Sequence, residues 1–141
     1  MKVSAKMDYS VRALVELALP WPNTHPQQIG DISRRAGMPQ KFLIHILIAL
    51  KSLSYVHSIR GKAGGYVLAM DPRKINLADV VKQLGGMGSF DEEKRKNKKG
   101  DAVSLLWQEI DKSIIATLKG ITLEDLCNRQ RLQVKSINYE I

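Results

Sequence analysis

A chain of 141 residues and 15.8 kDa has the length of one domain, with room for a short extension that meets a partner. Its composition is 44% hydrophobic and 26% charged, with ten glycines and a single cysteine, which excludes wholesale disorder, a collagen-like repeat and a disulfide scaffold. The net charge of +8 is unevenly placed: residues 1–75 hold eleven lysines and arginines against Asp8, Glu16, Asp31 and Asp71, a local balance of +7, while residues 76–141 hold eleven against ten. That excess fits a polyanion, either nucleic acid or an anionic membrane surface, and it is also what keeps many small domains in solution. No apolar run approaches the roughly 20 residues of a membrane span. The start lacks the apolar segment of a secretion signal, and Cys127 alone closes no internal disulfide, so the expected setting is a soluble domain in the cytoplasm.

In chain order, Val11, Leu14, Val15 and Ala18 recur at helical spacing and predict a helix over residues 7–19, stopped by Pro20-Trp21-Pro22. Residues 20–26, with three prolines, form a loop. A short helix follows over 29–36, with Ile29, Ile32 and Ala36 inward and Arg34 and Arg35 complementing the dipole in its last turn. Gly37 is placed to end it, and Pro39 to open the next helix. That third helix, over about 39–54, carries a stripe of Phe42, Leu43, Ile46, Leu47, Leu50 and Leu53; Lys41, Ile44, His45, Ile48 and Ser52 lie opposite. Two helices joined by a short glycine-containing turn predict a helix-turn-helix. Residues 55–60 and 66–69 have strand character and are joined by Gly61-Lys62-Ala63-Gly64-Gly65, which adds a wing. The glycines do not form a phosphate-binding P-loop, since no Gly-Lys-Ser/Thr follows and no helix opens there.

Asn76 is placed to cap a fourth helix over 77–84, ended by Gly85-Gly86. Residues 85–101 read as a loop whose basic run at 94–99 is solvated and partly cancelled by Asp91-Glu92-Glu93. The long helix predicted over 103–119 carries Trp107, Ile110, Ile114 and Thr117, with Ile121 beyond and Leu106 and Leu118 widening the stripe. A stripe of this length must bury against its own core or against a helix of a second chain, and the few other elements in residues 76–141 favour the second. Thr122 and Asp125 form a capping-box-like pair at the start of a last helix running to about Gln130.

Together, residues 2–9, Asp31-Ile32-Ser33, Arg60-Gly61, Gly64-Gly65-Tyr66-Val67-Leu68, Trp107 and the run Ile121-Thr122-Leu123-Glu124-Asp125-Leu126 resemble the Rrf-two family of bacterial winged-helix transcription regulators, over nearly the whole chain and in the right order. The resemblance implies a mainly α fold with a two-stranded β-hairpin. Residues 1–84 would form a winged helix-turn-helix DNA-binding domain, 85–101 a loop at the family's cluster-binding position, and 102–141 a long dimerisation helix, a short helix and a tail. It implies a homodimer, a repressor on a partly palindromic operator in double-stranded DNA, with Trp107, Ile110, Ile114 and Leu118 at the dimer interface. By motif position, Lys6 and Tyr9 would touch backbone phosphates, and Gln40, Lys41, Ile44 and His45 would face the major groove. Arg60, Gly61 and Lys62 would sit at the minor groove, where concentrated negative potential draws an arginine.

Two departures qualify the resemblance. Cluster-binding members carry three cysteines in the loop before the dimer helix; this chain has none there, the last falling at Asp101 and a further histidine ligand at Ser104. Iron–sulfur ligation depends on soft thiolates, so no cluster and no other cofactor is expected, and Cys127, within a helical stripe, is expected to be buried and inert. Many members also place a glutamate where Ile44 stands; a carboxylate accepts from cytosine, whereas isoleucine contacts a thymine methyl or packs. The nearest branch is the cluster-free, CymR-like one, which suggests a cysteine synthase as a protein partner for the terminal Tyr139-Glu140-Ile141, its carboxylate captured by backbone donors. His25, His45 and His57 share no metal-ligand spacing; they are expected to be solvated, DNA-facing and half-buried, respectively. Hydrolase signatures are absent and no enzyme is indicated. The alternative to a regulator is a winged-helix protein-interaction or assembly module that binds no specific DNA.

Overall fold

The structure, a computed structural model, describes residues 3–86 and 100–140, the last three of these by backbone alone. Six α-helices and one two-stranded sheet are found among them: α1 (Ala5–Ala18), α2 (Ile29–Ala36), α3 (Gln40–Ser52), β1 (Val56–Ile59), β2 (Gly65–Leu68), α4 (Leu77–Gln83), α5 (Ala102–Lys119) and α6 (Leu123–Glu140), with a 3-10 turn at Pro72–Lys74 before α4. This is a winged helix-turn-helix followed by two long helices.

Local chemistry accounts for most boundaries. The Ser4 side chain accepts from the Met7 amide at 3.1 Å and starts α1 two residues before the apolar periodicity does. Gly37, in the left-handed conformation at φ 67°, ends α2. Pro39 is the extended residue that precedes α3 rather than its first helical one. Asn76 caps α4 by accepting from the Ala78 amide, and Thr122 and Asp125 exchange hydrogen bonds of 2.8 and 3.1 Å at the start of α6. Nothing in residues 131–137 stops a helix, and α6 runs to Glu140, ten residues past the expected end.

The core gathers Leu14, Leu17, Ile32, Leu43, Leu47, Leu50, Val56, Val80, Leu123 and Cys127, so α6 belongs to the same core as the helix-turn-helix. Arg131 holds it there by donating to the carbonyl of Leu19 at the end of α1. Two expectations about side chains fail. Phe42 lies outside the core, since its place on α3 faces α1 across the surface and not the interior, and His57 is exposed because only Val56 in β1 turns inward.

The hairpin pairs Val56 with Leu68 and Ile59 with Gly65. A two-stranded ribbon alone is marginal, and here the loop before α2 supplies a third partner: the amide of Gln27 donates to the Tyr66 carbonyl at 2.9 Å and the Tyr66 amide to the Gln27 carbonyl at 2.8 Å. That approach requires glycine next door. At Gly65, φ is +148° and an added Cβ would lie 2.3 Å from the Gln27 carbonyl oxygen, whereas at Gly61, φ +109°, an added Cβ meets nothing. Both substitutions carry backbone strain of about 1–3 kcal/mol, but only one adds a backbone collision. In denaturant titrations Gly65→Ala should therefore cost clearly more stability than Gly61→Ala; equal losses would show that the wing is not pinned at this point.

Candidate nucleic-acid interface

The charge of the N-terminal half is sorted by residue type. Each of its four carboxylates is paired with an arginine: Asp8 with Arg12 at 2.8 Å, Asp31 with Arg34 at 2.9 Å, Glu16 with Arg35 at 3.0 Å and Asp71 with Arg73 at 2.7 Å. Hydrogen bonds from Arg73 hold the Asp71 carboxyl below its usual range. Exposed pairs of this kind contribute little to stability; their consequence is where they leave the excess. Lys6, Lys41, Lys51, Arg60, Lys62 and Lys74 are all exposed and have no carboxylate partner among the described residues.

Apart from Lys74, in the 3-10 turn before α4, these cations fall on three connected elements. Lys6 occupies the first turn of α1, and Tyr9, one turn later and half-buried, meets Phe42 of α3 in a tilted ring contact with centroids 6.1 Å apart. Gln40 stands at the start of α3 beside Gly30, where an added Cβ would come within 3.5 Å of its Nε2. Lys41, Ile44 and His45 follow on the exposed face of α3, together with Ile48 and Ser52. Lys51 donates to the Ser58 hydroxyl at 2.8 Å and so ties the end of α3 to the wing. The wing tip carries Arg60, Gly61 and Lys62, all exposed, and closes through the Gly64 amide donating to the Gly61 carbonyl at 3.0 Å. Gln28 reaches back from the start of α2 to the Lys62 carbonyl at 3.4 Å.

The residue that coordinates these elements has no sequence motif. Gln27 is buried in a loop; besides its backbone exchange with Tyr66, its side-chain amide donates to the Glu16 carbonyl of α1 at 3.2 Å, and its side-chain oxygen accepts from Arg35 of α2. Arg35 thus has an ion-pair role beyond the dipole one expected of it.

Comparison with known proteins identifies the family. Residues 3–129 match the family described as Rrf2, iron-dependent transcriptional regulator. The chain belongs to the Rrf2 family. It is 40% identical over 86 residues to an rrf2-like HTH-type transcriptional regulator of Rhodobacter capsulatus, a match covering 60% of this chain and 57% of that one, so it spans little more than half of that relative. Among solved structures it resembles T. potens IscR with a TM-score of 0.77 and 32% identity, over 92% of this chain and 88% of the other. CymR, the global cysteine regulator of B. subtilis, gives a TM-score of 0.73 and 28% identity, over 92% and 98%. The chain thus has the fold of this family, whose relatives carry transcriptional-regulator names and not enzyme names.

The donors near the family's cluster position are of another kind. Asp101 precedes α5 and its carboxylate accepts from the Ser104 amide at 2.7 Å, while Ser104 itself is buried. Among the described residues no group of three or more His, Cys, Asp or Glu is placed to hold a metal ion. The chain's one thiol, Cys127, is buried on α6 with its sulfur 3.9 Å from the Val15 carbonyl of α1. These donors do not fit a cluster held by several thiolates. The basic run at 94–99 and Ile141 lie outside the described residues, as do the side chains of Tyr139 and Glu140. No helix is long and apolar enough to cross a membrane among the described residues.

On α5 the expected interface residues divide. Ile110 and Ile114 line a shallow groove of about 350 Å³ with Leu106, Glu109, Ser113 and Thr117; Trp107 and Leu118 are half-buried and do not line it. Val103, Leu105 and Leu106 are exposed, so the apolar surface reaches further toward the N-terminus of α5 than the expected stripe.

Burial pushes the Cys127 thiol up to about 11, against an ordinary value of 9.0, because the thiolate cannot be solvated there. The thiol should resist alkylation at pH 8 until the protein unfolds. The unfolded chain loses this proton first, so stability should fall as pH rises from about 9 to about 11. A Cys127→Ala variant should flatten that part of a pH–stability curve; rapid alkylation of the native protein would contradict the burial.

Proposed function

We propose that this Rrf2-family regulator is a homodimeric, cluster-free repressor that occupies a partly palindromic operator. The observation carrying the DNA assignment is the charge sorting: arginines neutralise every carboxylate of residues 1–75, and of the described cations left over all but Lys74 stand on α1, α3 and the wing. In this reading α3 enters the major groove with Gln40, Lys41, Ile44 and His45 toward the base edges, as the second helix of a helix-turn-helix does. Lys6 and Tyr9 position the protein on phosphates, and the Arg60–Lys62 tip takes the minor groove, where the absence of a Cβ at Gly61 lets backbone approach. The open apolar groove of α5 supports pairing with a second copy, which would present two such surfaces to two half-sites. Repression follows from occupancy: a bound dimer blocks the promoter. The one buried cysteine and the capping role of Asp101 support operation without an iron–sulfur cluster.

A dimer making about 6–10 phosphate contacts should lose about 10³–10⁵ in affinity between 50 and 200 mM salt. Selection of bound fragments from random duplex DNA should yield a palindrome. Arg60→Ala should weaken binding to it by about 1–3 kcal/mol with unchanged thermal unfolding. Absence of enrichment, or binding indifferent to salt, would favour a protein-interaction module instead. Introducing a charge at the groove with Ile114→Asp should turn the dimer into a monomer in sedimentation and weaken operator binding; a variant that remains dimeric would place the interface elsewhere.

A further inference from the structure

The exposed face of α3 is apolar in a place where cations surround it. Ile44 is 41% exposed, and Ile48, one turn later on the same face, is 57% exposed. Lys41 precedes these residues and Lys51 follows, while the core of α3 is already satisfied by Leu43, Ile46, Leu47 and Leu50 on the opposite side. Two isoleucines held in water cost free energy that polar residues at the same positions would not. Their flanking lysines fit a polyanion better than an apolar protein groove. In the major groove of DNA the apolar feature on a base edge is the C5-methyl of thymine.

Building on the regulator reading, we infer that Ile44 and Ile48 read thymine methyl groups, and that this chain's operator is specified in each half-site by thymines recognised through burial and not through hydrogen bonds. Lys41, Gln40 and His45 supply the polar contacts around them. The chemistry that distinguishes this mode is the methyl itself. Deoxyuridine pairs as thymidine does and presents the same O4 acceptor, but it lacks the group that isoleucine would cover.

The test uses duplexes recovered by selection from a random pool, with each half-site thymine replaced in turn by deoxyuridine, and the full-length protein at fixed salt. At the contacted positions affinity should fall about fourfold per methyl removed, about 15-fold for the symmetric pair. Ile44→Ala and Ile48→Ala, both exposed and so expected to melt like the parent, should each lose discrimination between thymine and uracil at one position while keeping it at the other. Ile44→Glu should shift preference at the Ile44 position toward cytosine, whose amino group a carboxylate accepts. Equal binding of thymine and uracil duplexes overturns the inference, as does a recovered site with no fixed thymine, or alanine variants that each keep discrimination at every position where the parent shows it. These results leave the regulator reading standing. Failure to bind any duplex removes both.

Discussion

The close approach of the Gln27 backbone to Gly65 and Tyr66 is the constraint on which the rest of the molecule depends. A hairpin of two four-residue strands has too little paired surface to hold an orientation by itself. The reciprocal amide bonds with Gln27 give it a third edge, and the same residue's side chain reaches α1 through Glu16 and α2 through Arg35. One buried glutamine therefore fixes the wing relative to the two helices that carry the turn. Because Gln27 is buried and fully engaged, the arrangement is stiff, and a side chain at position 65 would have to displace backbone, not a flexible group. At the other side of α3, the hydrogen bond from Lys51 to Ser58 joins the helix to the wing directly.

Charge is arranged on that frame with a division of labour. The planar guanidinium suits the fixed geometry of carboxylate pairing, and arginines 12, 34, 35 and 73 are used within the fold. Flexible, strongly hydrated lysines at 6, 41, 51 and 62 are left on the surface, where a phosphate can be met at any of several angles. Among the arginines of residues 1–75 Arg60 is the exception, standing at the wing tip without a carboxylate among the described residues, where a narrow groove would select its shape.

Much of this fold is legible in the sequence because the signals are local. Gly37 ends α2 in the left-handed conformation, Asn76 caps α4, and the Thr122–Asp125 pair opens α6, each through chemistry confined to a few residues. What the sequence hides is what depends on distant partners. Gln27 is a polar residue in a proline-containing loop, and no periodicity marks it as the hub between α1, α2 and β2. Phe42 belongs to the apolar stripe by spacing, yet its ring contact with Tyr9 lies at the surface because α1 crosses the start of α3 there. His57 follows a buried valine and is exposed, as strand alternation places it. The full length of α6 is masked because polar residues after Gln130 weaken the stripe without breaking the helix. The candidate interface is more legible than individual burial, since motif position marks its residues and the fold sets them on connected elements.

On α3 and α5 apolar surface stands without cover in a single chain, and the charge around each indicates what covers it. On α3, Ile44 and Ile48 lie between Lys41 and Lys51 within a half of the chain whose balance is +7, a setting that repels a second copy of the same face and attracts phosphate. On α5, Leu106, Ile110 and Ile114 lie among Glu109, Ser113 and Thr117 in a half whose eleven cations nearly cancel ten carboxylates. A near-neutral apolar groove can meet its own copy without electrostatic cost, and a two-fold axis through it repeats every contact. The same composition therefore keeps the two surfaces from competing: like charges discourage the reading helices from pairing with each other, and the balanced helix offers little to a polyanion. In the proposed complex, the uneven division of charge between the two halves of the chain assigns DNA to one surface and the second protomer to the other.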